Sequence, residues 1–292
     1  MRTVNNDPGI SCPNATWNGT STNYCSDVTG DDTVAHEWGH AYTEYTNNLI
    51  YQWQSGALNE SYSDIWGEAV DFLNGRGSDA PGGLRTAGSC STLGAGAPSV
   101  DNSYRWLSGE DDPAFGGAIR DLWNPTCYND PGKVTDTEYW CATDDGGGVH
   151  TNSGVPNHAF ALMTDGGTYN GVTVTGLGLT KASHIHWGAQ TMLTPASNFI
   201  DHADALEASC TALIGINLPA LSTSSGSAGP SGEIISGADC TEVADAIAAT
   251  ELRTEPTQCD FGPLLDPNAP ALCEGQGSVK SIASEDWEGG TL

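Results

Sequence analysis

Two histidines four residues apart, with a glutamate beside the first, constrain this chain more than any other stretch: His36-Glu37-Trp38-Gly39-His40. In an α-helix, positions i and i+4 stand one above the other on one face, so both imidazoles can reach a single cation. Val34, Trp38 and Ala41 give the segment an apolar stripe. It reads as a helix capped by Asp31 or Asp32 and running to about Tyr45. The expected guest is zinc, which in hydrolytic sites takes three ligands from His and carboxylate and leaves a fourth position to water. Gly56-Ala57-Leu58-Asn59-Glu60 follows after a turn of chain, so Glu60 is a candidate third ligand and Glu37 a candidate base for that water. A second helix from about Ala57 to Leu73, ended by Gly75 and Gly77, places Glu60 and Asp64 one turn apart on one face. Two histidines satisfied inside a buried helix are the bland alternative, and a companion carboxylate at each level argues against it.

Thirty-seven acidic against nine basic residues leave a net charge of -28, which repels nucleic acid and anionic membrane surfaces. Such a surface suits a secreted protein and supplies carboxylates for calcium. Nine cysteines point to an oxidising compartment. Short-loop bridges Cys12 with Cys25, Cys127 with Cys141 and Cys259 with Cys273 are expected, with Cys210 joined to Cys240 and Cys90 left over. No apolar run reaches the length of a membrane span, and no signal-peptide core follows Met1. Bridges without a signal peptide lead us to expect a chain that begins inside a longer secreted precursor.

Residues 1 to 30 read as loop and short strand. Residues 76 to 104, rich in Gly, Ser, Ala and Pro, look like a surface insertion, and 106 to 145 alternate turns with aromatic residues. Helices are then expected after Asn152-Ser153-Gly154, over 182 to 192, 195 to 214 and 240 to 252, with a strand over 172 to 177. The Ser/Gly stretch 222 to 232 reads as a flexible connection. Residues 1 to 253 form the expected main domain, and 254 to 292 an irregular tail in which Glu285 to Gly290 opens a further β domain.

His36, Glu37, His40, Gly56, Asn59, Glu60 and Asp64 together match the pattern His-Glu-x-x-His followed by Gly-x-x-Asn-Glu-x-x-x-Asp, with twenty residues from His40 to Glu60. By these residues the chain, over most of positions 14 to 252, resembles the thermolysin family of neutral metalloendopeptidases. The resemblance implies an α+β fold with a β-containing N-terminal lobe, a central zinc helix and a mainly α-helical C-terminal lobe. It implies His36, His40 and Glu60 as zinc ligands, Glu37 as general base, and Asp64 and Asn59 as supports of the two histidines. Asp145-Gly-Gly-Gly-Val-His150 resembles the family's second active-site segment, where the histidine stabilises the oxyanion and the acid orients it. Tyr51 matches a second oxyanion donor; Asn14, Ala15 and Trp17 match the edge segment that pairs with substrate backbone. Arg120 matches the arginine that holds a substrate carbonyl, the bland alternative being an ion pair with Asp121 or another acid. Ile119 and Thr33 would line the pocket after the cleaved bond.

Asp32, Asp71 and Glu110 fall where the family has calcium ligands, but Asp71 replaces a glutamate and Leu107 stands at an acidic position, which speaks against a double site. Asp111 or Asp79 are further candidates. The implied protein is a secreted, monomeric zinc endopeptidase acting on polypeptides, made with a propeptide; most of the N-terminal β lobe is expected to lie outside these residues. A noncatalytic adhesion module on the same scaffold would have lost a ligand or Glu37, and neither is lost. A calcium-dependent structural protein would bind no zinc.

Overall fold

The computed structural model describes residues 2–75, 84–85 and 103–262. The fold is α+β and mainly helical. The chain divides into two compact units, Met1–Cys259 and Asp260–Leu292. In the first, strands β1 (Arg2–Asn5), β2 (Ala15–Trp17) and β3 (Ser21–Tyr24) make a small sheet in the order β1-β3-β2. β1 runs parallel to β3 and β2 antiparallel to it, with Thr16 opposite Asn23. Strand β2 is therefore an edge strand of this sheet among the described residues.

Helices α1 (Asp31–Thr46) and α2 (Trp53–Asn74) form the centre. They run antiparallel and unusually close, because each offers a residue without a side chain where the other needs room. A Cβ on Gly39 would lie 2.7 Å from Ser63 Cα, and one on Gly67 would lie 2.9 Å from the Asp32 carbonyl oxygen. That approach brings the polar face of α1 against the polar face of α2. Gly30, rather than Asp31 or Asp32, is the N-cap of α1. Asp32 is buried instead and accepts from the Thr33 and Gly109 backbone N–H groups. Helix α2 begins at Trp53, four residues earlier than the apolar pattern indicates, and ends at Gly75 in the left-handed conformation that favours glycine (φ 64°).

Strands β4 (Leu107–Ser108) and β5 (Arg120–Asp121) pair beside α2. Beyond them lie α3 (Asp145–Asn152), α4 (Gly154–Asp165), the hairpin β6 (Gly166–Tyr169) and β7 (Val172–Thr175), α5 (Leu179–Met192), α6 (Phe199–Leu213), β8 (Asn217–Pro219), β9 (Pro230–Ile234) and α7 (Gly237–Ala249). Their shared core includes Leu58, Tyr62, Ile65, Trp106, Phe160, Ile185, Phe199, Leu206 and Val243, each at most 1% exposed. Full burial of one such aliphatic side chain contributes about 1.5–3 kcal/mol. Asn198 and Ser236 cap α6 and α7, each with an Asp three residues on whose carboxylate accepts from the cap's own backbone N–H.

Three further expectations change. The stretch 222 to 232 is not a free connection throughout, since β9 begins at Pro230 and pairs with β8. Cys12–Cys25 and Cys210–Cys240 are bridged, but Cys141 is bonded to Cys259, so the pairs Cys127 with Cys141 and Cys259 with Cys273 do not form. The helical core brings Cys141 to Cys259 across 118 residues, a closure that short-loop spacing does not reveal. Cys127 is also disulfide-bonded. Cys90, Cys273, Asp79, most of the 76 to 104 insertion and Glu285 to Gly290 lie outside the described residues.

Candidate metal centre and active site

The closeness of α1 and α2 builds the site. His36 Nδ1 donates to Asp64 Oδ1 at 2.8 Å and His40 Nδ1 donates to Asn59 Oδ1 at 2.8 Å. These bonds turn both Nε2 atoms toward one carboxylate: His36 Nε2 is 3.5 Å from Glu60 Oε2, and His40 Nε2 is 3.4 Å from Glu60 Oε1. Ligand atoms of His36, His40 and Glu60 lie within 4.8 Å of one another, the only such triplet of His, Cys, Asp or Glu among the described residues. The two rings respond oppositely. Burial lowers His36, but hydrogen bonds and charges from Asp64 and Glu60 outweigh it and push the ring up to about 10. Burial dominates at His40 and holds it down to about 4.

Glu37 is 5% exposed, and its Oε2 has no hydrogen-bond partner. Burial, partly offset by His36, lifts its carboxyl to about 7. Asp64 is buried beneath the histidines and receives four hydrogen bonds. Besides His36, it accepts Arg120 Nε and Nη2 at 2.8 and 2.5 Å and Asn157 Nδ2 at 2.8 Å. Arg120 thus pairs with Asp64, while Asp121 is held by Arg85. Burial raises Asp64, but the guanidinium and the His36 hydrogen bond prevail and bring it to about 2.

Across the cleft, α3 opens with Gly146, Gly147 and Gly148 at φ 61°, 93° and 77°, a left-handed run that only glycine adopts freely. A Cβ on Gly147 would strike the Trp53 ring at 2.4 Å, and one on Gly148 would strike Trp140 at 2.5 Å. The turn folds Asp145 back on His150, whose Nδ1 donates to Asp145 Oδ1 at 2.6 Å. His150 Nε2 is 3.2 Å from the Tyr51 hydroxyl, which in turn donates to Glu60 Oε1. Burial and the Glu60 charge raise the Tyr51 pKa, so the phenol keeps its proton.

His36, Glu37, His40, Tyr51, Glu60 and His150 line one cleft of 840 Å³. Asn14, Ala15 and Trp17 of the β2 edge form one wall; Thr33, Phe115, Ile119 and Arg120 lie at one end, Glu44 at the other. Asp32, Asp71 and Glu110 are buried carboxylates but form no comparable triplet among the described residues. Asn157, Phe115 and Glu44 are absent from the sequence reading. Glu44 was findable, since it continues the i, i+4 stripe of His36 and His40, and an asparagine inside the apolar run of α4 is a signal of the same kind.

Residues 47–223 match the family model described as thermolysin metallopeptidase, alpha-helical domain. The chain is 36% identical over 254 residues to a zinc metalloproteinase of Renibacterium salmoninarum, covering 84% of this chain and 39% of that protein. It is 38% identical over 216 residues to a bacillolysin of Brevibacillus brevis, covering 70% of this chain and 35% of that one. A thermolysin of Alicyclobacillus acidocaldarius subsp. acidocaldarius is 38% identical over 199 residues, 64% of this chain and 31% of its own length. The chain therefore spans less than half the length of these relatives. The precursor of protealysin, a metalloproteinase from Serratia proteamaculans, shares the fold with a TM-score of 0.50 at 23% identity, covering 82% of this chain and 65% of its own. With its helical lobe matched over more than half of its residues, and relatives of one kind along most of its length, the chain belongs to the thermolysin metallopeptidase family.

Proposed function

We propose that this chain carries the catalytic residues of a secreted zinc-dependent endopeptidase that hydrolyses internal peptide bonds. The observation that carries the reading is the convergence of His36, His40 and Glu60 beside the buried, unpartnered Glu37 carboxylate oxygen. Two imidazoles and one carboxylate suit zinc, and a cation there would displace the proton that His36 otherwise holds. Zinc, when bound, would lower the pKa of a water and polarise the scissile carbonyl.

The chain's own groups do the rest. Burial lifts the Glu37 carboxyl to about 7, and a cation held by His36, His40 and Glu60 would favour its ionised form, so at neutral pH it can take the water's proton and deliver it to the departing nitrogen. His150, steadied by Asp145, and the Tyr51 hydroxyl donate to the oxygen that becomes negative, a contribution of about 2.7–4 kcal/mol per donor. The β2 edge offers N–H and C=O groups to an extended substrate, with Asn14, Ala15 and Trp17 along it. Arg120 faces the same cleft and holds a substrate carbonyl, and Ile119 with Thr33 receives a medium apolar side chain after the cleaved bond. The disulfides, at Cys127 as well as in the bridges Cys12–Cys25, Cys141–Cys259 and Cys210–Cys240, support a secreted protein. Calcium at Asp32, Asp71 and Glu110 has less support, because Asp32 is already engaged by two backbone N–H groups; no step depends on it.

The test joins metal analysis by mass spectrometry with a peptide-cleavage assay. One zinc per chain and internal cleavage are expected, with Glu37→Gln losing cleavage while keeping the zinc. Near-native turnover in that variant overturns the mechanism, and calcium absent from the purified protein removes that ion from the proposal.

A further inference from the structure

We propose that Glu44 selects a basic substrate side chain two or three residues before the cleaved bond. The inference rests on the proposed peptidase reading, which places Ile119 and Thr33 on the far side of that bond. Glu44 is exposed and lines the catalytic cleft. It lies one helical turn beyond His40 on the face that carries His36 and His40, about 6 Å along the α1 axis. An extended peptide advances roughly 3.3 Å per residue, so this carboxylate meets the second or third residue from the bond at the metal.

The carboxylate is aimed by the chain itself. Trp17 Nε1 donates to Glu44 Oε2 at 2.6 Å, tying it to the end of the substrate-binding edge strand. Gly19 stands next to it, and a Cβ there would lie 3.9 Å from both Glu44 oxygens, so the approach is open. Glu44 makes no ion pair among the described residues, while Arg120, the arginine lining the cleft, is at the opposite end and committed to Asp64. The indole supplies one hydrogen bond and no charge. A lysine or arginine of the substrate supplies both.

The net charge of -28 also attracts cationic peptides, so the local effect must be separated from the general field. Replacing one carboxylate hardly alters that field, whereas it removes the proposed contact entirely. Matched fluorescent peptides carrying Lys, Gln or Glu at the second or third position before the cleaved bond are the probes. Their affinities are measured on the zinc-loaded Glu37→Gln chain, where binding needs no turnover, and kcat/KM is measured on the unaltered chain. The Lys peptide is expected to bind about two- to fivefold tighter than the Gln peptide, the range of one exposed ion pair, with the gap shrinking in salt. Glu44→Gln should abolish the gap and Glu44→Lys should turn it toward the Glu peptide. A Lys preference that survives Glu44→Gln, or no preference at all, overturns the proposal. Discrimination in binding with no cleavage of any peptide defeats the peptidase reading and leaves the Glu44 contact standing.

Discussion

Replacing Asp64 by asparagine tests the centre of this structure most directly. The carboxylate is 1% exposed and takes hydrogen bonds from His36 Nδ1, Arg120 Nε, Arg120 Nη2 and Asn157 Nδ2. Asparagine keeps the shape but presents an NH₂ group where a donor already points, and it leaves the Arg120 guanidinium buried without its counter-charge. Breaking a buried pair by removing one partner costs about 3–5 kcal/mol. Loss of a support behind a metal-bound histidine lowers metal affinity by roughly 10–100-fold. Urea unfolding in excess chelator isolates the first effect from metal linkage, and competition with a zinc indicator measures the second. Adding Arg120→Met to Asp64→Asn removes the stranded cation, so the double variant should recover part of the loss, with a coupling of about 1–3 kcal/mol. Stability within 1 kcal/mol of the parent, together with zinc affinity within about threefold, would refute the account of Asp64 as the shared anchor.

His186 is fully buried against the Phe160 ring and donates Nδ1–H to the Ala182 carbonyl. Burial depresses it to about 4, so the unfolded chain binds its proton more readily than the folded one. Stability from this group is therefore complete above the ordinary histidine range and falls as pH drops from about 6.5 to about 4, by roughly 3 kcal/mol in total. Urea midpoints at pH 7 and pH 5 check it, and His186→Phe should remove this share of the difference while the buried His158 and His202, held down in the same way, keep theirs. Gly148→Ala forces a side chain into a left-handed residue and against Trp140; a loss of about 1–3 kcal/mol in denaturation and a lower kcat with zinc content unchanged are expected.

The parts of the fold written in short-range spacing were legible in the sequence. The helix through His36 and His40, the one through Glu60 and Asp64, and the helices around Phe160, Leu206 and Ile247 all show as local periodicity. What decides the site geometry is non-local. Gly39 reads as an indifferent residue until Ser63 is seen pressed against it, and Asn157 reaches Asp64 across 93 residues. The Cys141–Cys259 bridge escaped for the same reason, since nearness in sequence says little about nearness after the helices pack. Gly30 took the cap of α1 from Asp31 and Asp32 because the Asp32 side chain is drawn inward to Gly109.

Gly146, Gly147 and Gly148 turn the chain in a hand that side chains resist, at the place where Trp53 and Trp140 close on it from two directions. The segment is bare so that it can be gripped. Half of the His150 side chain is open to solvent, yet the residue is exposed without being loose, because a clamp behind it rather than a cover over it sets its reach toward Tyr51. As the oxyanion donor of the proposed mechanism, His150 would stand in position before any substrate arrives, and none of the energy of binding would have to be spent on bringing it there.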